Sequence, residues 1–162
     1  MFKKKSMRGV GGYTPWSKTI LLDINPTTEG WKEGLKYTIA HEYNHTAYQE
    51  VHSMPETLGE TLVFEGLADC FAEHVCDVPK PLWTQSVSPK GCKEYLSTLE
   101  TLLISEENSL YKDVFFGSKD YPQWLGYSLG YNVVKSYLQN TTLSWGETMG
   151  VEPKTILEES TF

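Results

Sequence analysis

Within the stretch "TIAHEYNHTAYQE", residues 38–50, His41 and His45 stand four apart with Glu42 directly after the first. On a helix, residues i and i+4 lie one turn apart on the same face, so both imidazoles can point at one cation. Zinc accepts such nitrogens at about 2.0–2.1 Å, and a catalytic zinc site keeps one of its four positions for water. Glu42 lies about 100° round the helix from His41. It borders the open position without filling it and serves there as general base. The plain alternative is a polar helix face carrying two hydrogen-bonded histidines.

Two histidines do not complete a site, so the motif predicts a third ligand elsewhere in the chain. In H-E-x-x-H-x-x-G-x-x-H the third ligand is a histidine. Here those last two positions hold Tyr48 and Val51, and His52 misses by one residue, about a 100° error on a helix. A cysteine ahead of the motif is also excluded, because Cys70, Cys76 and Cys92 all follow it. The remaining source is "ETLVFEGLADCFAEHV". There Leu58, Leu62, Glu65, Asp69, Ala72 and Cys76 follow one helical stripe, and its apolar members turn it inward. A buried carboxylate without compensation is strongly unfavourable. Glu65 as third ligand, and Asp69 accepting the ring N–H of a ligating histidine, compensate both at once. The bland alternative pairs the two carboxylates with Lys32 and Lys36 on the neighbouring helix.

Amide hydrolysis also needs a donor for the developing oxyanion. Tyr127 and Tyr131, one turn apart on an aromatic helix, are the candidates. His74 lies nine residues beyond Glu65, about 180° round the helix, and reads as a surface residue. His52 reads as a loop residue near the ligand helix. Trp16, Trp31, Trp83, Trp124 and Trp145 read as bulk rather than ligands.

These residues need a scaffold. The chain has 162 residues, 40% hydrophobic and 22% charged, enough for one domain with a single core. "GVGGYTPW" reads as a flexible or turning segment and Ser17–Ile24 as the one convincing strand. A helix is predicted from Glu29 to Val51, with Thr27 or Thr28 as its cap. A second runs to Cys76 from a capping box of Ser53 and Glu56, with Pro55 in its first turn. Residues 77–91, with three prolines, form a loop. Helical patterns return in "CKEYLSTLETLLISEE" and over Gln123–Gln139, with "YKDVFFGSKDYP" as a connection between them. Ser144 and Glu147 form another capping box, and a short helix covers Pro153–Glu159. The sum is α+β with helices dominating.

The net charge of −7 disfavours nucleic-acid binding, which wants a basic patch. Lys3, Lys4, Lys5 and Arg8 belong to a start, residues 1–10, read as flexible. No apolar run is long enough to span a bilayer, and no apolar stretch follows the basic start as in a secretory signal. Neither a membrane nor a nucleic acid is expected as partner, and the expected compartment is the cytoplasm. The three cysteines read as reduced thiols, a Cys76–Cys92 bridge being the alternative in an exported protein.

H-E-x-x-H with a downstream E-x-x-x-D resembles the gluzincin class of zinc metallopeptidases. More closely, "KTILLDINP", "TIAHEYNH", "EGLADCFAEH" and "SKDYPQWLGYSLGY" together resemble a bacterial family of predicted zinc-dependent proteases, the YjaZ-like proteins, over about Gly11 to Tyr131. The resemblance implies a zincin-like fold, ligands His41, His45 and Glu65, and Glu42 as general base. It also implies that "SKTILLDI" lies as a sheet edge over an active-site cleft, where an extended peptide adds as another strand. Members of that family carry more chain ahead of this strand, so residues 1–162 read as a single catalytic domain, a fragment or a short form.

Two functions follow. One is a zinc-dependent peptidase acting on peptide or protein substrates through a zinc-activated water and Glu42. The other is a non-catalytic, zinc-containing binding or regulatory module. Glu42 favours the first, because a pure binding module needs no carboxylate beside an open coordination position.

Overall fold

The computed structural model describes residues 8–162; Lys3, Lys4, Lys5 and the rest of residues 1–7 lie outside the described residues. The sheet is an antiparallel pair, β1 (Val10–Trp16) and β2 (Thr19–Ile24), registered Val10 to Ile24 and Gly12 to Leu22. β1 corrects the expectation of a flexible segment. Its Val10 and Thr14 are buried while Tyr13 between them points to solvent, the alternation of a strand packed on one face; Trp16 is exposed beyond an irregularity in the register between Tyr13 and Trp16. Gly11, Gly12 and Pro15 look like turn residues in sequence, but the turn falls later, at Ser17–Lys18, with Lys18 in the left-handed region at φ 65°.

Helix α1 (Trp31–Val51) follows, starting after Gly30 in the left-handed region rather than at Glu29. Helix α2 (Leu58–Val75) begins four residues later than its Ser53–Glu56 box would place it. The box that forms is Thr57 with Glu60, whose carboxylate accepts from the Glu56 and Thr57 amides. The amides of Leu58 and Gly59 donate to the carbonyls of Ser105 and Leu103. Tertiary partners for these N–H groups therefore fix the start.

The Pro-rich segment carries a short 3₁₀ turn (Leu82–Gln85) and ends at Ser88, which caps α3 (Pro89–Leu99) with proline in its first turn. α4 (Asn108–Phe116) occupies what the sequence presents as a connection, and α5 (Leu125–Asn140) closes the bundle. α6 (Trp145–Thr148) starts at the expected Ser144–Glu147 capping box, and α7 (Pro153–Glu159) lies where expected. Among the described residues no helix is long and apolar enough to cross a membrane. Cys70, Cys76 and Cys92 are free thiols.

α2 is the central element, with α1 on one side and α5 on the other. Leu62, Val63, Leu67, Ala68, Asp69 and Ala72 are essentially inaccessible, as expected of a helix covered nearly all round. The α2–α5 crossing depends on two glycines. A Cβ on Gly66 would stand 2.2 Å from the Gly130 carbonyl oxygen, and one on Gly130 the same distance from that of Leu62. Backbone cannot yield as a flexible side chain does. Gly66→Ala is therefore expected to cost about 1–3 kcal/mol or more through overpacking, seen as a lower urea midpoint at unchanged slope. Gly146→Ala, where a Cβ meets nothing within 4 Å, should leave the midpoint nearly unmoved.

Candidate metal centre

α1 and α2 pack so that Tyr37, His41 and His45 of one meet Asp69 and Glu65 of the other. The ring nitrogens His41 Nε2 and His45 Nε2 are 3.0 Å apart. Glu65 Oε2 lies 3.3 Å from the first and 3.7 Å from the second. One donor atom from each residue falls within a 4.8 Å cluster, a group able to hold a metal ion.

Asp69 fixes the first ring. His41 Nδ1 is 2.9 Å from Asp69 Oδ1, and assigning the proton to that nitrogen leaves the Nε2 lone pair facing the cluster. The same carboxylate oxygen accepts from the Tyr37 hydroxyl at 3.0 Å and from Trp83 Nε1 at 3.1 Å. The Pro-rich segment thus reaches the site through Trp83. His45 is held differently, its ring stacked on Phe64 at a centroid distance of 3.9 Å.

The donor set fits a cation. Asp69 is fully buried, with no hydrogen-bond partner for Oδ2 among the described residues, and the Glu65 side chain is 14% exposed. Burial alone would raise the Glu65 carboxyl, yet His45 and His41 beside it hold it well below the usual carboxylate range. Burial alone would lower His41, yet Asp69 and Glu65 hold its imidazole well above its ordinary value. Two buried carboxylates around two imidazoles make a pocket that stabilises positive charge, and a divalent ion supplies it at one point. Lys32 and Lys36 do not fill this role: among the described residues neither forms an ion pair with Glu65 or Asp69.

Glu42 is 6% exposed and is not part of the donor cluster. Thr14 Oγ1 of β1 donates to its Oε2 at 2.7 Å, while Gln49 Nε2 donates to the Thr14 carbonyl at 3.3 Å. Gly12 lies over the same side chain; a Cβ there would meet Glu42 Cγ at 2.4 Å. The two-residue spacing of Gly12 and Thr14 therefore puts an absent side chain and a hydroxyl against one carboxylate.

His41, Glu42, His45 and Glu65 line one cavity of about 600 Å³, with Gly12, Tyr13 and Thr14 on its strand side. The bordering strand is thus β1; no residue of β2 lines the cavity, which corrects the expectation that "SKTILLDI" does so. Tyr127 lines it as well. Burial pushes the Tyr127 phenol well up, and the Glu65 carboxylate adds to the shift, so it stays protonated and able to donate. Tyr131 is a correction: it does not line the cavity. Its hydroxyl donates to Glu73 Oε2 at 2.9 Å, in a cluster where Lys80 and Lys135 also pair with Glu73. His52 bonds the Met149 carbonyl instead of the site, and His74 is exposed.

Sequence reasoning missed Gly12, Thr14, Tyr37 and Trp83 as supports, and Tyr111, Phe116 and Trp124 as cavity wall. For Tyr37 a signal was present: it precedes His41 by four residues and so shares its face.

A family model described as "Predicted Zn-dependent protease (DUF2268)" matches residues 3–158. The "Uncharacterized protein YjaZ" of Bacillus subtilis (strain 168) is 28% identical over 130 residues, covering 74% of this chain and 48% of that protein. The chain thus spans about half the length of the curated relative it matches. No solved structure matches.

Proposed function

We propose, since the chain belongs to the family of predicted Zn-dependent proteases, that it hydrolyses peptide bonds at the centre formed by His41, His45 and Glu65. The observation that carries this is the convergence of two imidazole nitrogens and one carboxylate oxygen beside a separate buried carboxylate on the same cavity. In this reading residues 8–162 make up one zincin-like catalytic domain of gluzincin type, and its substrates are peptides or proteins.

Held by His41, His45 and Glu65, zinc would supply a Lewis acid that lowers the pKa of water and polarises a carbonyl. Glu42 takes the proton of the attacking water and returns it to the leaving amine. Thr14 keeps Glu42 in place by occupying one carboxylate oxygen, which leaves the other for the proton. Asp69 keeps the His41 ring in the tautomer that directs Nε2 inward. Tyr127, neutral and facing the cavity, donates to the carbonyl oxygen as negative charge develops there.

The test is zinc analysis joined to digestion of a mixed peptide pool. One zinc per chain is expected, with cleavage lost on chelation and restored by zinc. Protein that binds no zinc under reducing conditions would remove the site from the proposal. Zinc without cleavage of any peptide would remove the activity.

A further inference from the structure

Besides the metal donors, the cavity is lined by a group of aromatic residues from α4 and α5, with Glu106 and Glu107 just ahead of α4. α4 contributes Tyr111 and Phe116, and α5 with its N-terminal turn contributes Tyr127 and Trp124. Among the described residues no lysine or arginine lines this cavity. Its size lies in the range of sites that enclose a ligand. A wall of this kind offers apolar area and ring faces but no counter-ion for an acidic side chain.

Trp124 stands out by its backbone. It sits at φ 66°, ψ 18°, in the left-handed region, as the residue before α5. The turn is closed by the Leu125 amide on the Pro122 carbonyl, and the Trp124 amide donates to the Phe115 carbonyl. Glycine or asparagine is the ordinary occupant of such a position, because a bulky residue there is strained. Lys18 shares the left-handed conformation, but in an exposed hairpin turn away from the cavity. Trp124 is only partly buried and joins none of the core clusters among the described residues. Packing therefore does not explain a tryptophan where glycine would be cheaper, while its place on the cavity wall does. Backbone strain held at a ligand-contacting position has this pattern.

We infer that Trp124, with Tyr111 and Tyr127, forms a subsite that takes a bulky apolar or aromatic side chain of the peptide substrate, and that Trp124 is its specificity-determining residue. The inference rests on the peptidase reading for its substrate class, but its test does not depend on turnover. Binding is measured by calorimetry on zinc-loaded protein carrying Glu42→Gln, so that no peptide is consumed. The probes are capped Gly/Ala pentapeptides with a central Phe, Leu, Ala or Asp.

The Phe and Leu peptides are expected to bind on the order of tenfold or more tighter than the Ala peptide, and the Asp peptide weakest. Adding Trp124→Gly should bring Phe, Leu and Ala within about twofold of one another, leave one zinc per chain, and leave the melting temperature equal or higher as the strain is released. A preference for Phe and Leu that survives Trp124→Gly overturns the inference. So does a fall of several degrees in melting temperature, which would make Trp124 a packing residue, and so do four peptides of equal affinity. Should the preference appear while wild-type protein cleaves none of these peptides, the subsite stands and the peptidase reading fails. Should wild-type protein cleave all four with equal efficiency, the peptidase reading stands and the subsite fails.

Discussion

Glu42→Gln is expected to lower peptide hydrolysis by roughly 10²–10⁴-fold, the range attributed to a positioned general base, while zinc content stays at one per chain. The substitution keeps the shape of the side chain and its ability to accept from Thr14 Oγ1, 2.7 Å from the present Oε2. What it removes is the capacity to take and return a proton. Because Glu42 lies outside the cluster of metal donors, zinc affinity should change little. A single-turnover assay with zinc quantified in the same sample separates the two effects. Unchanged hydrolysis would assign the base to another group on the cavity. Lost zinc would mean that Glu42 holds the metal, and that base and ligand are not separate residues.

The helical half of this site is legible in sequence because its information is local. The spacing of His41 and His45, and the stripe from Leu58 to Cys76, depend only on helix periodicity. An inward stripe holding Glu65 and Asp69 needs a partner of opposite charge wherever the helices meet. The supports of the site are not local. Thr14 is a ligand-helix partner only because β1 folds over α1, 28 residues away in sequence, and its neighbours Gly11, Gly12 and Pro15 all signal a turn. Gly12 is required by the volume of Glu42, which no rule of strand propensity contains.

Two capping boxes competed at the start of α2, and both fit the S/T-x-x-E pattern. The carbonyls of Leu103 and Ser105 decided between them. α4 was missed because no side chain caps it and its apolar residues gain meaning only against α5. Tyr127 and Tyr131 stand one turn apart on the same helix, and sequence alone does not choose between them. Their surroundings do: Tyr127 lines the cavity that Glu65 lines, and Tyr131 donates to Glu73.

The second large effect concerns Glu65, and its control is built into the same helix. Glu65→Ala is expected to lower zinc affinity by roughly 10²–10³-fold or more. Binding free energies of about 10–16 kcal/mol for protein zinc sites, shared over four positions, make each ligand worth about 2.5–4 kcal/mol. Glu73→Ala removes a carboxylate eight residues further along α2, one that pairs with Lys80 and Lys135 and accepts from Tyr131. It should leave zinc affinity unchanged, and its ion pairs are partly exposed and therefore worth little. Asp69→Asn should fall between the two. It keeps an oxygen for His41 Nδ1 but loses the charge that favours the inward lone pair, and loss of such support typically costs 10–100-fold in affinity. Competition with a chromophoric chelator ranks the three directly. Saturating zinc should raise the melting temperature of the wild type and of Glu73→Ala through linkage, and leave Glu65→Ala unmoved at the same concentration. Equal losses for Glu65→Ala and Glu73→Ala would show that the wrong face of α2 had been given the metal, since the two carboxylates differ in their partners and not in their helix.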